Sequence, residues 1–485
     1  MRETALTREI NVTNDCREKF GGLVANARGE KGEALHKPDS PPGQFEFRGY
    51  ALDEPSGKAF FHYGYDNGLC FTEEIGFGQP FPAPDSVLRK PLEAALRGLS
   101  VALGVSYFKA FLPRRLALTA FELSASQNAF FEKMYRHGLG ELAFRNGIDI
   151  SERRFFPQGG GPDEPVRGAG GALARRSAVL IGGGKDSVVS TEILRAGGEP
   201  LVLLAVNPKG PITACMEASG LPSITVKRRL DPLLFRLNEA GALNGHVPIT
   251  GILSFIALAG AFVHGYDRII LSNERSANEG NVSVGAAQVN HQYSKTIFFE
   301  KDFRSYLAGA VPGWVDYFSL LRPLSELRIA SLLAGTSRYD RAFSSCNRSF
   351  RINGAPMEAR WCLDCPKCRF TFLALATAMD KQRLTAIFGG DMLDDPSQLE
   401  GFRELTGLSG HKPWECVGEI AESAVSILRL SRDPAWKDDF IVSQLAAPLA
   451  ARLPNPDEVW SALMAPAGER FLPESVERML NACLG

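Results

Sequence analysis

The chain has 485 residues, 54 basic against 55 acidic, a formal net charge of −1, and 45% hydrophobic and 22% charged residues. That length is too great for one ordinary core and predicts two or three domains of soluble, globular composition. The near-neutral balance excludes a globally basic nucleic-acid surface and leaves only a local patch for that role.

The first residues, MRETALTREINVTNDCREKF, have no apolar stretch behind their charges, so they do not read as a secretory signal. Residues 1–44 are polar, with Gly and Pro in ARGEKGEALHKPDSPPGQ, and are expected to be weakly ordered. Over 45–157 a small α+β domain is expected. FEFRGYALD and GKAFFHYGY are strand-like, Asn67-Gly68 marks a hairpin, and SVLRKPLEAALRGLSVALG begins a helical pattern. Residues 158–176 form a linker by composition.

From 177 to 385 short apolar runs alternate with helical segments: SAVLIG, PLVLLAV, SITVKR, RIILSN and YFSLLRPL. This is the alternation of an α/β fold, a parallel sheet with crossover helices. The 17-residue run VPITGILSFIALAGAFV contains a Pro and two glycines and has no Lys or Arg close to either end, so it reads as a buried helix and not a membrane span. Residues 386–485 form a helical tail, including VGEIAESAVSILRL. Nine cysteines in a chain without a signal point to a reducing, cytoplasmic compartment.

The chemistry concentrates in IGGGKDS. A Walker A reading fails, because Val179 stands where its first Gly should be and Asp186 where Ser or Thr should follow Lys185. A dinucleotide fingerprint is weak, because Ser187 stands at its third Gly and the second strand ends Val206-Asn207-Pro208 without an acid. Strand, Gly-rich turn, Asp-Ser and helix make an anion nest capped by a helix N-terminus. Gly182, Gly183, Gly184, Lys185, Asp186 and Ser187 would cradle a pyrophosphate, with Asp186 on Mg²⁺.

Two polar clusters follow strands of the same region, LSNERSANEGN and QVNHQYSKT. Ligands of open parallel sheets bind at strand carboxyl ends. Asn273, Glu274, Arg275, Asn290, His291 and Lys295 are therefore candidates for the same crevice. Cys346, Cys362, Cys365 and Cys368 form C-x15-C-x2-C-x2-C. Four thiolates suit tetrahedral Zn²⁺, whereas a ferredoxin-like cluster would want a further Cys soon after Cys368, and the next is Cys416. Asn347, Arg348 and Arg351 beside them offer donors for carboxylate or phosphate. His62, His137, His246, His264 and His411 read as packing or surface residues.

The glycine loop resembles the PP-loop of ATP pyrophosphatases, usually S-G-G-x-D-S, with Gly182 in place of the leading Ser. The resemblance implies a HUP-like domain that cleaves ATP between its α and β phosphates and adenylates a carboxylate or carbonyl oxygen. The cysteine set is similar to the zinc site of 7-cyano-7-deazaguanine synthase, with longer spacing. Taken with GVSYFKA and HGLGELAFRN, the motifs GGGKDS, SNERSANEGN, VNHQYSKT, SSCNRSFR and WCLDCPKCRF resemble the bacterial ATP-dependent UDP-N-acetylmuramoyl-L-alanyl-L-glutamate epimerases.

That resemblance implies inversion of a peptidoglycan precursor's terminal L-Glu, with ATP and Mg²⁺ as cofactors; the cysteine set stays open between structural Zn²⁺ and no metal. It implies UDP-MurNAc-L-Ala-L-Glu as the small-molecule partner, functional coupling to the ligase that adds L-Glu, and neither nucleic acid nor membrane. His291, Lys295 and Glu274 are then the proton-transfer candidates. Asn273, Arg275, Asn290, Asn347, Arg348 and Arg351 are the substrate-binding ones. Another PP-loop adenylating enzyme, deazaguanine-forming or tRNA-modifying, and a non-catalytic ATP-binding regulator stay open as alternatives.

Overall fold

The computed structural model describes residues 41–168, 171–278, 282–284, 287–290, 292–350, 359–410, 413, 415 and 417–485. In chain order the strands are β1 (Gln44–Asp53), β2 (Lys58–Tyr65), β3 (Cys70–Gly76), β4 (Arg115–Leu118), β5 (Ala174–Leu180), β6 (Leu201–Val206), β7 (Ser223–Arg229), β8 (Tyr266–Leu271), β9 (Val282–Val284), β10 (Ala287–Val289) and β11 (Asp316–Ser319). The helices that matter below are α1 (Arg89–Phe108), α2 (Ala125–Gly138), α3 (Lys185–Ala196), α4 (Ile249–His264), α5 (Glu326–Ala334), α6 (Pro366–Ala376) and α7 (Ile420–Leu430).

Two compact units share the chain by interleaving: Met1–Arg175, Thr225–Ile269 and Val289–Asp316 make the first, and Arg176–Ile224, Ile270–Gln288 and Tyr317–Gly485 the second. In the first unit β1, β2 and β3 form an antiparallel meander. Alternate residues of β1 turn inward, so Phe45 and Phe47 are buried, and Phe45 stacks on Tyr63 of β2 at 5.9 Å. The Asn67-Gly68 turn closes the hairpin as its sequence predicts. Gly68 takes φ +91°, and its N–H donates to the Tyr65 carbonyl at 3.0 Å.

β4 pairs in parallel with β1, and the end of β7 adds to β3 in antiparallel register, Glu74 opposite Arg229. At that seam the Arg228 Nε donates to the buried Glu73 carboxylate at 2.6 Å. The long apolar run becomes α4, whose inner face packs on α1. A Cβ on Gly98 would stand 2.6 Å from the Phe255 ring, so glycine there permits the close approach. Among the described residues no helix is long and apolar enough to cross a membrane.

In the second unit β5 and β6 run parallel, Ser177 opposite Leu201, with α3 as the connection between them. Val179, Val188, Leu203, Ile270, Phe318 and Leu373 are among the side chains of its core. The tail beyond 386 is helical and belongs to this unit. Segments 225–269 and 289–316, read above as part of one glycine-loop domain, cluster with the first unit instead. The physical cause is the pairing of β7 with β3 and the packing of α4 on α1. Strand–helix alternation does not reveal which sheet edge a strand will join.

Candidate active site

The apolar strand β5 delivers the chain to Gly182, where a Cβ would meet nothing within 4 Å: this side of the turn is open. Gly183 is the constrained position. Its φ is +73°, and a Cβ there would sit 2.6 Å from the Ile212 nitrogen and 2.7 Å from the Pro211 carbonyl carbon. Gly184 is extended and serves as N-cap of α3. The first-turn N–H groups of a helix lack intrahelical partners and carry its positive end, which suits an anion. Ser187 closes the turn, its Oγ accepting from the Gly182 N–H at 3.3 Å and donating to the Gly184 carbonyl at 3.1 Å.

Lys185, expected to add charge toward phosphate, is buried with its ammonium bonded to Asp186 and to Glu326 at the start of α5. Burial alone would lower its pKa. The carboxylates of Asp186, Glu326 and Glu274 outweigh burial and hold it above the usual lysine range. Asp186 keeps 32% of its side chain exposed, whereas Glu326 keeps 5%. Burial pushes the Glu326 pKa well up against the pull of Lys185, and Asp186, Glu274 and Glu422 push the same way. One ammonium thus faces several carboxylates. That surplus of acid suits a divalent cation, which takes one or two carboxylates together with phosphate oxygens.

Glu274 is buried, and the Arg322 Nη1 donates to its backbone carbonyl at 3.0 Å. Asn273 donates to Ser319 Oγ at 3.0 Å, and Arg275 faces Glu419 at 3.7 Å. These three therefore sit in the same unit as the glycine loop, and Glu274 is electrostatically coupled to it. Asn290 and Lys295 fall in the first unit, Asn290 accepting from the Gln292 N–H at 2.7 Å and Lys295 ending a short helical turn. His291 and Arg351 lie outside the described residues.

Sequence reasoning missed Glu326 and Glu422. Glu422 accepts from the Leu327 N–H at 3.3 Å and from the Glu419 N–H at 2.7 Å. Its only visible signal is the E-I-A-E helix start. Burial raises its pKa from 4.5 to about 7. The folded protein therefore binds a proton that the unfolded chain has released, so this contribution to stability is complete below about 4.5 and is lost as pH rises to about 7. The span corresponds to roughly 3 kcal/mol. Glu422→Gln is expected to flatten the fall in unfolding free energy across that window, as urea titrations at a series of pH values would read. An unchanged slope would show that other groups carry it.

The four cysteines converge as their spacing predicts. All four sulfur atoms lie within 4.8 Å of one another, with Cys365 to Cys368 at 3.5 Å and Cys362 to Cys368 at 3.8 Å. Tetrahedral Zn–S bonds of about 2.3 Å set thiolates about 3.8 Å apart, so the cluster fits zinc. Cys365 is the N-cap of α6, with Pro366 next in the first turn. The cluster also holds the glycine loop. Ser344, two residues before Cys346, donates its N–H to the Gly183 carbonyl at 3.0 Å, and its Oγ accepts from the Cys346 N–H at 3.1 Å. Arg348 pairs with Asp364 at 2.6 Å across the cysteine loop, and Asn347 opens the short turn before it.

A parallel β–glycine turn–α unit, with acidic residues around a turn that opens at a helix N-terminus, places the chain among α/β proteins. Comparison with known proteins then places it further. The chain belongs to the MurL family: the family described as MurL N-terminal domain matches residues 38–320, and that described as MurL C-terminal domain matches 342–458. A UDP-N-acetyl-alpha-D-muramoyl-L-alanyl-L-glutamate epimerase of Salinispora tropica is 43% identical over 449 residues, covering 91% of this chain and 95% of the relative. Proteins of the same name from Xanthomonas oryzae pv. oryzae and a Micromonospora species are each 41% identical, covering 90% and 92% of this chain and 97% and 99% of themselves.

Proposed function

We propose that this chain inverts the terminal L-glutamate of UDP-N-acetylmuramoyl-L-alanyl-L-glutamate to D-glutamate for peptidoglycan synthesis, adenylating a glutamate carboxylate with ATP and releasing AMP and pyrophosphate. The observation that carries the reading is near end-to-end similarity, at 41–43% identity, to three proteins named as epimerases of that precursor. The open glycine turn beside Asp186 supports the adenylation step. The reaction takes place in the cytoplasm and follows the ligase that adds L-Glu.

A carboxylate resists loss of its α-proton because a second negative charge would build beside the first. Attack of a carboxylate oxygen on the α-phosphorus of ATP expels pyrophosphate and removes that first charge. The acyl group then withdraws electrons, a base takes the α-proton, and a proton returns on the opposite face. Water cleaves the acyl–phosphate bond, releasing AMP and the carboxylate.

In this scheme the first-turn N–H groups of α3 and the N–H groups of Gly183 and Gly184 would bind the pyrophosphate oxygens, with the Gly182 N–H held by Ser187, and Asp186 would hold Mg²⁺, which would neutralise phosphate charge. Lys185, paired with Glu326, anchors the turn from below. Arg275, Asn273, Asn347, Arg348, Arg351 and Asn290 are substrate-binding assignments, and His291, Lys295 and Glu274 are assigned to proton transfer. Zinc on the four cysteines has a structural role.

Reaction in D₂O tests the inversion: the glutamate recovered after hydrolysis should be D-configured and carry deuterium at Cα. Recovery of L-glutamate alone, without deuterium, would overturn the reading. His291→Ala is expected to keep pyrophosphate release and lose D-glutamate formation by at least about 100-fold, the scale of a lost general base. Full inversion by that variant would remove His291 from proton transfer.

A further inference from the structure

The first unit contains a cavity of about 330 Å³ lined by Pro113, Arg114, Arg153, Arg154 and Phe155. Three arginines therefore line one small space. Among the described residues none of the three forms an ion pair with a carboxylate. Arg154 meets the side-chain oxygen of Gln158 at 2.6 and 2.7 Å, in the amide orientation its surroundings require. Arg153 donates to the Leu112 carbonyl at 3.1 Å. Asp149 turns to Ser151, accepting from its N–H at 2.8 Å and its hydroxyl at 2.7 Å, and exerts only a through-space pull on Arg153.

The walls are held in place before any ligand arrives. Glu132 of α2 accepts from the N–H groups of Phe155 and Phe156 at 2.9 and 2.8 Å. Its helix neighbour Arg136 donates to the carbonyls of Ser151 and Arg153. Next to the lining residue Pro113, Leu112 adopts φ +46°, a left-handed conformation unfavourable for a branched side chain. Like charges gathered at one cavity repel, and a multivalent anion removes that repulsion. Arginine forks suit phosphate oxygens in pairs. The volume falls in the range of small-ligand pockets and exceeds what a single phosphate needs, and the apolar faces of Pro113 and Phe155 suit a flat ring.

We propose that this cavity binds the diphosphate of a nucleotide, supplied by the UDP group of the precursor; the choice of UDP rests on the epimerase reading above. Titration calorimetry on the full chain with UDP, ADP and inorganic pyrophosphate tests it, using wild type, Arg114→Ala, Arg154→Ala and the double variant. Arg153 is left intact because it also holds Leu112. Each single variant should weaken UDP binding about 10-fold and the double variant more than either. ADP binding and the melting temperature should stay unchanged, and Arg154→Lys should recover part of the loss.

Unchanged UDP affinity in a folded double variant would overturn the site. Loss of ADP or pyrophosphate binding without loss of UDP binding would overturn the UDP assignment. UDP binding that depends on these arginines, in a wild-type chain that forms no D-glutamate, would uphold the cavity and remove the epimerase reading.

Discussion

Asp186→Ala is expected to lower precursor-dependent pyrophosphate release by at least about 100-fold while the protein stays folded. Asp186 is the exposed acid of the glycine turn, with a third of its side chain open, and it follows the N-cap of α3 by two residues. Its loss removes the ligand assigned to Mg²⁺ and leaves the surplus of phosphate charge uncompensated. The fold should survive, because Lys185 keeps its buried partner Glu326. Asp186→Asn, which keeps the shape and removes the charge, should lose nearly as much activity. If Asp186 served only to neutralise Lys185, both variants would melt earlier and still release pyrophosphate within a few-fold of wild type. Rate and melting temperature measured together separate the two roles.

Cys365→Ser is expected to reduce bound zinc from about one ion per chain and to abolish ATP-dependent activity through the glycine turn. The route is short. Cys346 fixes Ser344, and the Ser344 N–H is bonded to the Gly183 carbonyl at the centre of the turn, where only glycine fits. Structural zinc sites in small loops contribute on the order of 10 kcal/mol to holding their ligands together, so loss of one thiolate should loosen the whole 344–368 connection. Zinc content by elemental analysis, proteolysis of that connection and ATP affinity should change together. Wild-type protein free of zinc when purified without chelator, yet fully active, would dismiss the metal assignment.

The glycine turn and the cysteine set were legible in the sequence because each depends on residue types at fixed short spacing. The β2–β3 hairpin was legible for the same reason, and α4 could be told from a membrane span by its Pro, its glycines and its length. The direction of Lys185 was not legible. Its burial depends on Glu326, 141 residues away, whose own segment, LLRPLSELRI, carries no sign of that role beyond a helix start. Glu422 was hidden in the same way. The division into units was also hidden, because it depends on the antiparallel seam between β7 and β3, and local periodicity is blind to which distant strand becomes the neighbour. Of the two polar clusters, Glu274 of the first joins the electrostatics of the loop, while Asn290 and Lys295 of the second belong to the first unit.

The most direct test of the central claim is pyrophosphate release from ATP and Mg²⁺ by the purified chain, with and without UDP-MurNAc-L-Ala-L-Glu, followed by determination of the glutamate configuration. The expected result is release only when the precursor is present, with D-glutamate in the hydrolysed product. D-glutamate formed without any consumption of ATP would contradict the adenylation step, and no D-glutamate under any condition would contradict the epimerase assignment itself.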